Sequence, residues 1–333
     1  MLDLRRSATI LLTTLLPASL ALAGCGGGSD DTLAGFDAVK VTGSAGEAPK
    51  LDWKGKLKAG KAQTKVIDHG DGEEVAKGDR VLVNYVVGDG WTHKTVVDTY
   101  GDKAGGFMTE VGKPGQPQQV EDLLNKVLRD KIEPGMQVGD RIAVTVGSNK
   151  LLDDYLGNAQ VSQWAASNDI GNQDGLVIVG DIAAKVPAAV EGTSAKAPAW
   201  APKVIEKKGE PARLDFTGVP KPGKKLEVAT LVKGQGAPVE SGDVVAVDYL
   251  GAVYQGKKPF DESYSRDEPF AAVLSEEFGT VVKGWSRGLI GVPAGSRVIL
   301  EIPPKLGYGK KGSGKQIPPG STLYFVVDVL AAA

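Results

Sequence analysis

Cysteine and histidine are almost missing from this 333-residue chain, which holds one of the first, Cys25, and two of the second, His69 and His93. A single thiol excludes an internal disulfide framework. So few soft or imidazole ligands leave no set with metal-site spacing, and neither a metal nor a cofactor is expected. Charge of one sign is also missing. Lys and Arg number 39 and Asp and Glu 41, for a formal charge of −2, so no whole-protein field favours nucleic acid or anionic lipid. Aromatic residues make up only 6%, which makes any cluster of them informative. With 41% hydrophobic residues the chain can still bury ordinary cores, and its length predicts about two domains.

A long hydrophobic run is absent too. Ala8 to Leu22 is mostly apolar, but Thr13, Thr14 and Pro17 interrupt it and it falls short of the ~20 residues of a spanning helix. Arg5 and Arg6 precede it and Leu22-Ala23-Gly24-Cys25 ends it, a pattern similar to a bacterial lipobox. Residues 1–24 are therefore expected to be a signal peptide, with Cys25 lipidated after cleavage and residues 25–33 a polar tether. The protein would be exported and held at the outer face of the cell membrane, touching it through the lipid anchor alone.

The rest of the chain repeats once. Leu51-Asp52-Trp53 recurs as Leu214-Asp215-Phe216, Gly70-Asp71-Gly72 as Gly234-Gln235-Gly236, and Val83-Asn84-Tyr85 as Val247-Asp248-Tyr249. Asp98 is matched with Asp261, Phe107 with Phe270, and Val138-Gly139-Asp140-Arg141 with Ala294-Gly295-Ser296-Arg297. Leu176 and Asp181 match Leu323 and Asp328, and the shrinking offset places two insertions in the first copy, expected as surface loops. The first copy is placed at 34–188, a linker at 189–198 and the second copy at 199–333. Val244–Leu250, Arg297–Ile302 and Leu323–Val329 read as strands. Val282, Trp285 and Leu289 give one short helix a single apolar face. Many strands with one helix is an α+β pattern.

In the second copy the aromatic residues fall into ordered signatures: Val247-Asp248-Tyr249, Phe260-Asp261, Val281-Val282-Lys283-Gly284-Trp285, Gly307-Tyr308-Gly309 and Ile317-Pro318-Pro319-Gly320. In order and spacing these resemble the FKBP-type peptidyl-prolyl cis-trans isomerases. The resemblance is to a bacterial, actinobacterial lipoprotein with two such domains. It implies that each is a curved antiparallel sheet wrapped around one short helix, and that the clients are proline-containing polypeptides, with macrolide inhibitors as further ligands.

Carried over onto this sequence, the resemblance implies that Tyr249, Asp261, Trp285 and Tyr308 perform the catalysis. Trp285 would lie under the proline ring and Asp261 would be the polar group inside the pocket, flanked by Tyr249 and Arg266. Phe260, Phe270, Val281, Val282, Ile317 and Phe325 would complete the walls, with the Tyr308 hydroxyl and the Val282 N–H donating to client carbonyls. The loop Lys310–Gln316 departs from the family pattern and reads as flexible. In the first copy the wall has faded: Val97 stands for Phe260, Arg129 for Trp285, Leu152 for Tyr308 and Ile178 for Phe325. That copy is expected to keep the fold with little or no activity.

Gly309-Lys310-Lys311-Gly312-Ser313-Gly314-Lys315 has phosphate-loop spacing, but Gln316 replaces the magnesium-binding hydroxyl and Ile-Pro-Pro follows where a helix should start. Val120–Leu128 is amphipathic and reads as the first copy's core helix. The competing class is a non-enzymatic chaperone or solute-binding lipoprotein using the same apolar pocket.

Overall fold

The computed structural model describes residues 31–101, 105–114, 120–266 and 268–333. The signal-peptide and Cys25 readings lie outside these residues. Two sheets dominate, and every ladder within them is antiparallel. The first runs Gln63–Asp68, Arg141–Gly147, Gly175–Val186, Arg80–Asp89, Lys94–Asp98, with Phe107–Glu110 also on Arg80–Asp89. The second runs Thr193–Ser194, Glu227–Lys233, Ser296–Ile302, Leu323–Ala332, Val244–Val253, Asp261–Glu262, with Phe270–Val273 also on Val244–Val253. Apart from the added Thr193–Ser194 edge, strand order is the same in both.

The strand Val244–Val253 is apolar almost throughout because both of its faces are covered. Val245, Val247 and Tyr249 point into the concave core with Trp285 and Leu289. The alternate residues Leu250 and Ala252 pack on the convex side with Ile299, Tyr324 and Val326 under Leu214. Period-2 alternation thus sends one strand into two cores. Leu214 belongs to a hairpin, Lys203–Lys207 with Glu210–Asp215, that lies over this convex face. A matching hairpin, Val39–Thr42 with Lys50–Trp53, covers Val177 and Val179 of the first sheet. The recurrence of Leu51-Asp52-Trp53 as Leu214-Asp215-Phe216 therefore marks a shared outer layer.

An Arg–Asp pair bridges the same two strands in each sheet. Arg141 donates from Nε and Nη2 to Asp181 at 2.6 and 2.7 Å, and Arg297 donates likewise to Asp328 at 2.6 and 2.8 Å. The recurring glycines are set by close approach. A Cβ on Gly70 would stand 2.1 Å from the Val138 carbonyl oxygen, and one on Gly234 would stand 2.2 Å from that of Ala294. Because backbone must move to relieve such a clash, Gly234→Ala is expected to cost about 1–3 kcal/mol, read as a lower urea midpoint at unchanged m-value.

Several expectations change. One helix per copy holds for the second sheet, where α4 (Lys283–Leu289) is the single described α-helix. The first sheet has α1 (Val120–Arg129), α2 (Ser148–Leu152) and α3 (Ala159–Ser167). The insertion expected as a surface loop folds into α2 and α3, since Leu152, Val161 and Ala165 offer an apolar face that is buried in the same core as Tyr85 and Phe107. The tether and the linker also take part in pairing: Thr32–Leu33 pairs with Lys56–Leu57, and Thr193–Ser194 extends the second sheet. Between the sheets, Leu82 and Val186 pack against Val244, Ala246 and Leu330. A cleft of about 520 Å³ opens beside this seam, lined by Asn84, Tyr100 and Asp181 from one half and Glu240 and Asp243 from the other. It is separate from the aromatic cluster described next.

Candidate active site

Tyr249 stands at the centre of a ring cluster on the concave side of the second sheet. Its ring centroid is 5.4 Å from Trp285, 5.9 Å from Phe270 and 6.5 Å from Phe325. Trp285 meets Phe325 edge-on at 5.2 Å, and Phe260 meets Phe325 edge-on at 5.5 Å. Edge-to-face contacts at these spacings are favourable and fix ring orientation. Gly251 permits the arrangement, because a Cβ there would fall 2.5 Å from Phe325 and 2.7 Å from Phe260.

The floor is set by α4. Val282 caps the helix in an extended conformation, the Trp285 N–H donates to the Val282 carbonyl at 2.8 Å, and the Ser286 hydroxyl donates to the Ser275 carbonyl at 3.0 Å. Trp285 is 3% exposed, and its indole N–H has no acceptor among the described residues. Ile317 and Phe325 are buried, Phe260, Val281 and Val282 partly so. Phe270 and Tyr308, by contrast, are 38% and 39% exposed. They mark an open mouth above a buried floor. Among the described residues the Tyr308 hydroxyl has no hydrogen-bond partner, which leaves it free to donate outward.

Asp261 is the main correction in this region. It lies at the mouth, with its side chain 48% exposed, and not inside the pocket. What holds it is pairing: the Tyr249 hydroxyl donates to Oδ2 at 2.5 Å, and Arg266 donates to Oδ1 and to the Tyr249 hydroxyl, each at 3.3 Å. Short contacts to an ionised acceptor are the stronger class of hydrogen bond. Burial, and then the bond to Asp261, push the Tyr249 hydroxyl up to about 12. Burial also pushes up Tyr100, Tyr264 and Tyr324. The unfolded chain releases these protons near pH 10 while the native chain keeps them, so stability is expected to fall as pH rises from about 10 to 12. Spectrophotometric titration should show Tyr100, Tyr249, Tyr264 and Tyr324 ionising well above pH 10 or only on unfolding.

The equivalent positions in the first sheet come together differently. Tyr85 and Phe107 keep the edge contact at 5.7 Å, but the Arg129 guanidinium lies over Phe107 at 5.8 Å, so it covers this ring and not the place of a floor. Hydrogen bonds fix the register that sequence matching had misplaced. Tyr249 N–H donates to the Ser263 hydroxyl, which donates to Asp248; Tyr85 N–H donates to the Thr99 hydroxyl, which donates to Asn84. Thr99 is thus the counterpart of Ser263, Asp98 that of Glu262, and Val97 that of Asp261. Val97 pairs with Val87 as Asp261 pairs with Gly251. Val96, not Val97, takes the place of Phe260. The signal was present in the sequence: Tyr100 and Tyr264 keep the spacing of Tyr85 and Tyr249. Ile178 opposite Val87 does correspond to Phe325 opposite Gly251. Leu152, matched with Tyr308 in the sequence, is buried and has no hydroxyl to offer.

Known proteins match this half of the chain. Residues 236–330 fit the family profile described as FKBP-type peptidyl-prolyl cis-trans isomerase. An FK506-binding protein of Streptomyces anulatus is 36% identical over 123 residues, covering 37% of this chain and 97% of its own. The chain belongs to the FKBP-type peptidyl-prolyl cis-trans isomerases. Human peptidyl-prolyl cis-trans isomerase FKBP2 is 38% identical over 109 residues, covering 32% of this chain and 75% of that protein. FK506-binding protein 2B of Rhizopus delemar is 43% identical over 90 residues, and the chain spans only 42% of its length. The crystal structure of FkpA from Escherichia coli aligns at 35% identity over 38% of this chain and 53% of that one, with a TM-score of 0.30. As an FKBP-type domain, residues 236–330 contain every aromatic member of the cup named above.

Proposed function

We propose that residues 199–333 form the active isomerase domain of an exported, lipid-anchored protein, and that residues 34–188 form a related domain without turnover. The observation that carries this reading is the contrast between the two concave faces. The second has a buried Trp285–Phe325–Tyr249 floor with an open mouth at Phe270 and Tyr308. The first has Val97 where Asp261 would be and fills its concave side with Leu152, Val161 and Ala165 from α2 and α3.

The proposed chemistry needs only binding and polarity. An X-Pro bond faces a rotation barrier of ~18–20 kcal/mol, set by amide resonance that water supports. A proline ring on the Trp285 floor would leave water and lose that support. The Tyr308 hydroxyl and the Val282 N–H would donate to client carbonyls in the twisted state, and Asp261, held by Tyr249 and Arg266, would be the polar group beside the twisting amide. Groups aimed at the transition state more than at the ground state accelerate the step. The clients proposed are exported or cell-surface polypeptides, and a macrolide would compete for the same floor.

Localisation has its own test. Cys25→Ser is expected to move the protein from the membrane fraction to the medium, followed by immunoblotting; a variant still sedimenting with membranes would contradict the lipid anchor.

A further inference from the structure

We infer that this site prefers prolines flanked by an acidic residue, selected by lysines on the loop that carries Tyr308; the inference rests on the isomerase reading above. Between Glu301 and Asp328 the sequence has no Asp or Glu and four lysines, Lys305, Lys310, Lys311 and Lys315. All four are exposed. Among the described residues none has a carboxylate within 4.0 Å. Of the other cations near the cup, Arg266 is paired with Asp261, and Lys283 beside Val282 and Lys258 near Phe260 are further exposed positive charges. The four lysines are therefore positive charge on the Tyr308 loop that no ion pair among the described residues compensates.

Their position is fixed by the loop, which is not the flexible segment that its Gly and Lys content implies. Ser313 and Ile317 exchange backbone N–H···O bonds at 2.9 and 3.2 Å, closing a small hairpin with Lys315 at its tip. Gly312 N–H donates to the Tyr308 carbonyl at 3.1 Å, and Gly320 N–H donates to that of Gly309 at 2.9 Å. Gly309, Gly312, Gly314 and Gly320 all hold positive φ, so the turns suit glycine and resist other residues. The hairpin is pinned to the cup through Ile317, 6% exposed within the aromatic core.

Lys315 is two residues from Ile317, and Lys310 and Lys311 are two and three from Tyr308. At no more than ~3.6 Å per residue, their backbones start within about 11 Å of cup residues, and each flexible stem shortens or lengthens that reach. The Debye length is ~8 Å at physiological salt and about 20 Å at about 20 mM salt, so a client carboxylate near the proline would feel this charge most at low salt. Charges on a rim act on selectivity and association with strong salt dependence, which separates this role from that of the floor.

The test is NMR exchange spectroscopy on the full chain with peptides carrying Glu, Leu or Lys directly before proline, and a second set carrying them directly after. At about 20 mM salt the Glu peptide of at least one set is expected to turn over roughly five times faster than its Lys partner, and the ratio should shrink toward one at about 0.5 M salt. The triple variant Lys310→Glu, Lys311→Glu, Lys315→Glu should invert the ratio and leave the Leu peptide within about twofold of wild type. Equal Glu and Lys rates in both sets, with the Leu peptide turned over normally, would overturn this inference and leave the isomerase reading intact. So would a triple variant that loses only binding to phosphatidylglycerol vesicles. No acceleration of the Leu peptide by wild type would overturn the isomerase reading, and this inference with it.

Discussion

Asp261→Asn in the full chain is expected to lower kcat/KM for a Leu-Pro peptide by about ten- to hundredfold while the fold is kept. Asp261 is the shared acceptor of the Tyr249 hydroxyl at 2.5 Å and of Arg266 at 3.3 Å. Hydrogen bonds to charged groups contribute about 1.5–3 kcal/mol, and each 1.4 kcal/mol in the transition state is tenfold in rate. Asparagine keeps the shape but removes the charge, so Tyr249 and Arg266 would lose their common anchor and the polar wall its sign. Because the side chain is half-exposed, little packing is lost, and the unfolding free energy should change by less than about 1 kcal/mol. A large rate loss without a stability loss is the signature sought in paired activity and urea measurements. Full activity in the variant would remove Asp261 from the site.

Asp181→Ala is expected to have the largest effect on stability, about 3–5 kcal/mol by urea unfolding. Arg141 and Asp181 are 0% and 1% exposed, so removing the carboxylate strands a buried guanidinium. Carbonyls of Gly43 and Glu47 accept from Arg141 at 2.8 and 2.6 Å, but neither supplies a counter-charge. The equivalent change in the second sheet, Asp328→Ala, should cost clearly less. Arg297 is 13% exposed and keeps Glu206 at 2.7 Å as a second partner. Equal losses for the two variants would show that burial and the second carboxylate do not set the difference.

Much of this architecture was legible in the sequence for definite reasons. Strands covered on both faces, such as Val244–Val253, are continuous apolar runs, and the Val282, Trp285, Leu289 spacing marks α4 directly. The floor residues were legible because large side chains at fixed spacing have few other uses in a chain poor in aromatics. What escaped depended on tertiary context. The helices α2 and α3 have modest apolar faces of their own and gain order by filling the space above Tyr85 and Phe107. The single-residue shift that separates Asp98 from Asp261 is settled by hydrogen bonds and strand pairing, with the shared Tyr85–Tyr100 and Tyr249–Tyr264 spacing as its trace in the sequence, since a slip of one residue swaps the faces of a strand. The ordered state of Lys310–Gln316 rests on backbone pairing between Ser313 and Ile317, which a glycine- and lysine-rich composition conceals.

The most direct measurement compares the two concave faces within one molecule, using proline exchange on a Leu-Pro peptide with the full chain. Tyr85→Phe alters the first face at its central ring, and Asp261→Ala combined with Tyr308→Phe alters the second at its mouth. The account predicts that the first variant stays within about twofold of wild type and that the second loses at least about a hundredfold. Comparable losses in both, or a loss confined to Tyr85→Phe, would contradict the assignment of turnover to residues 199–333.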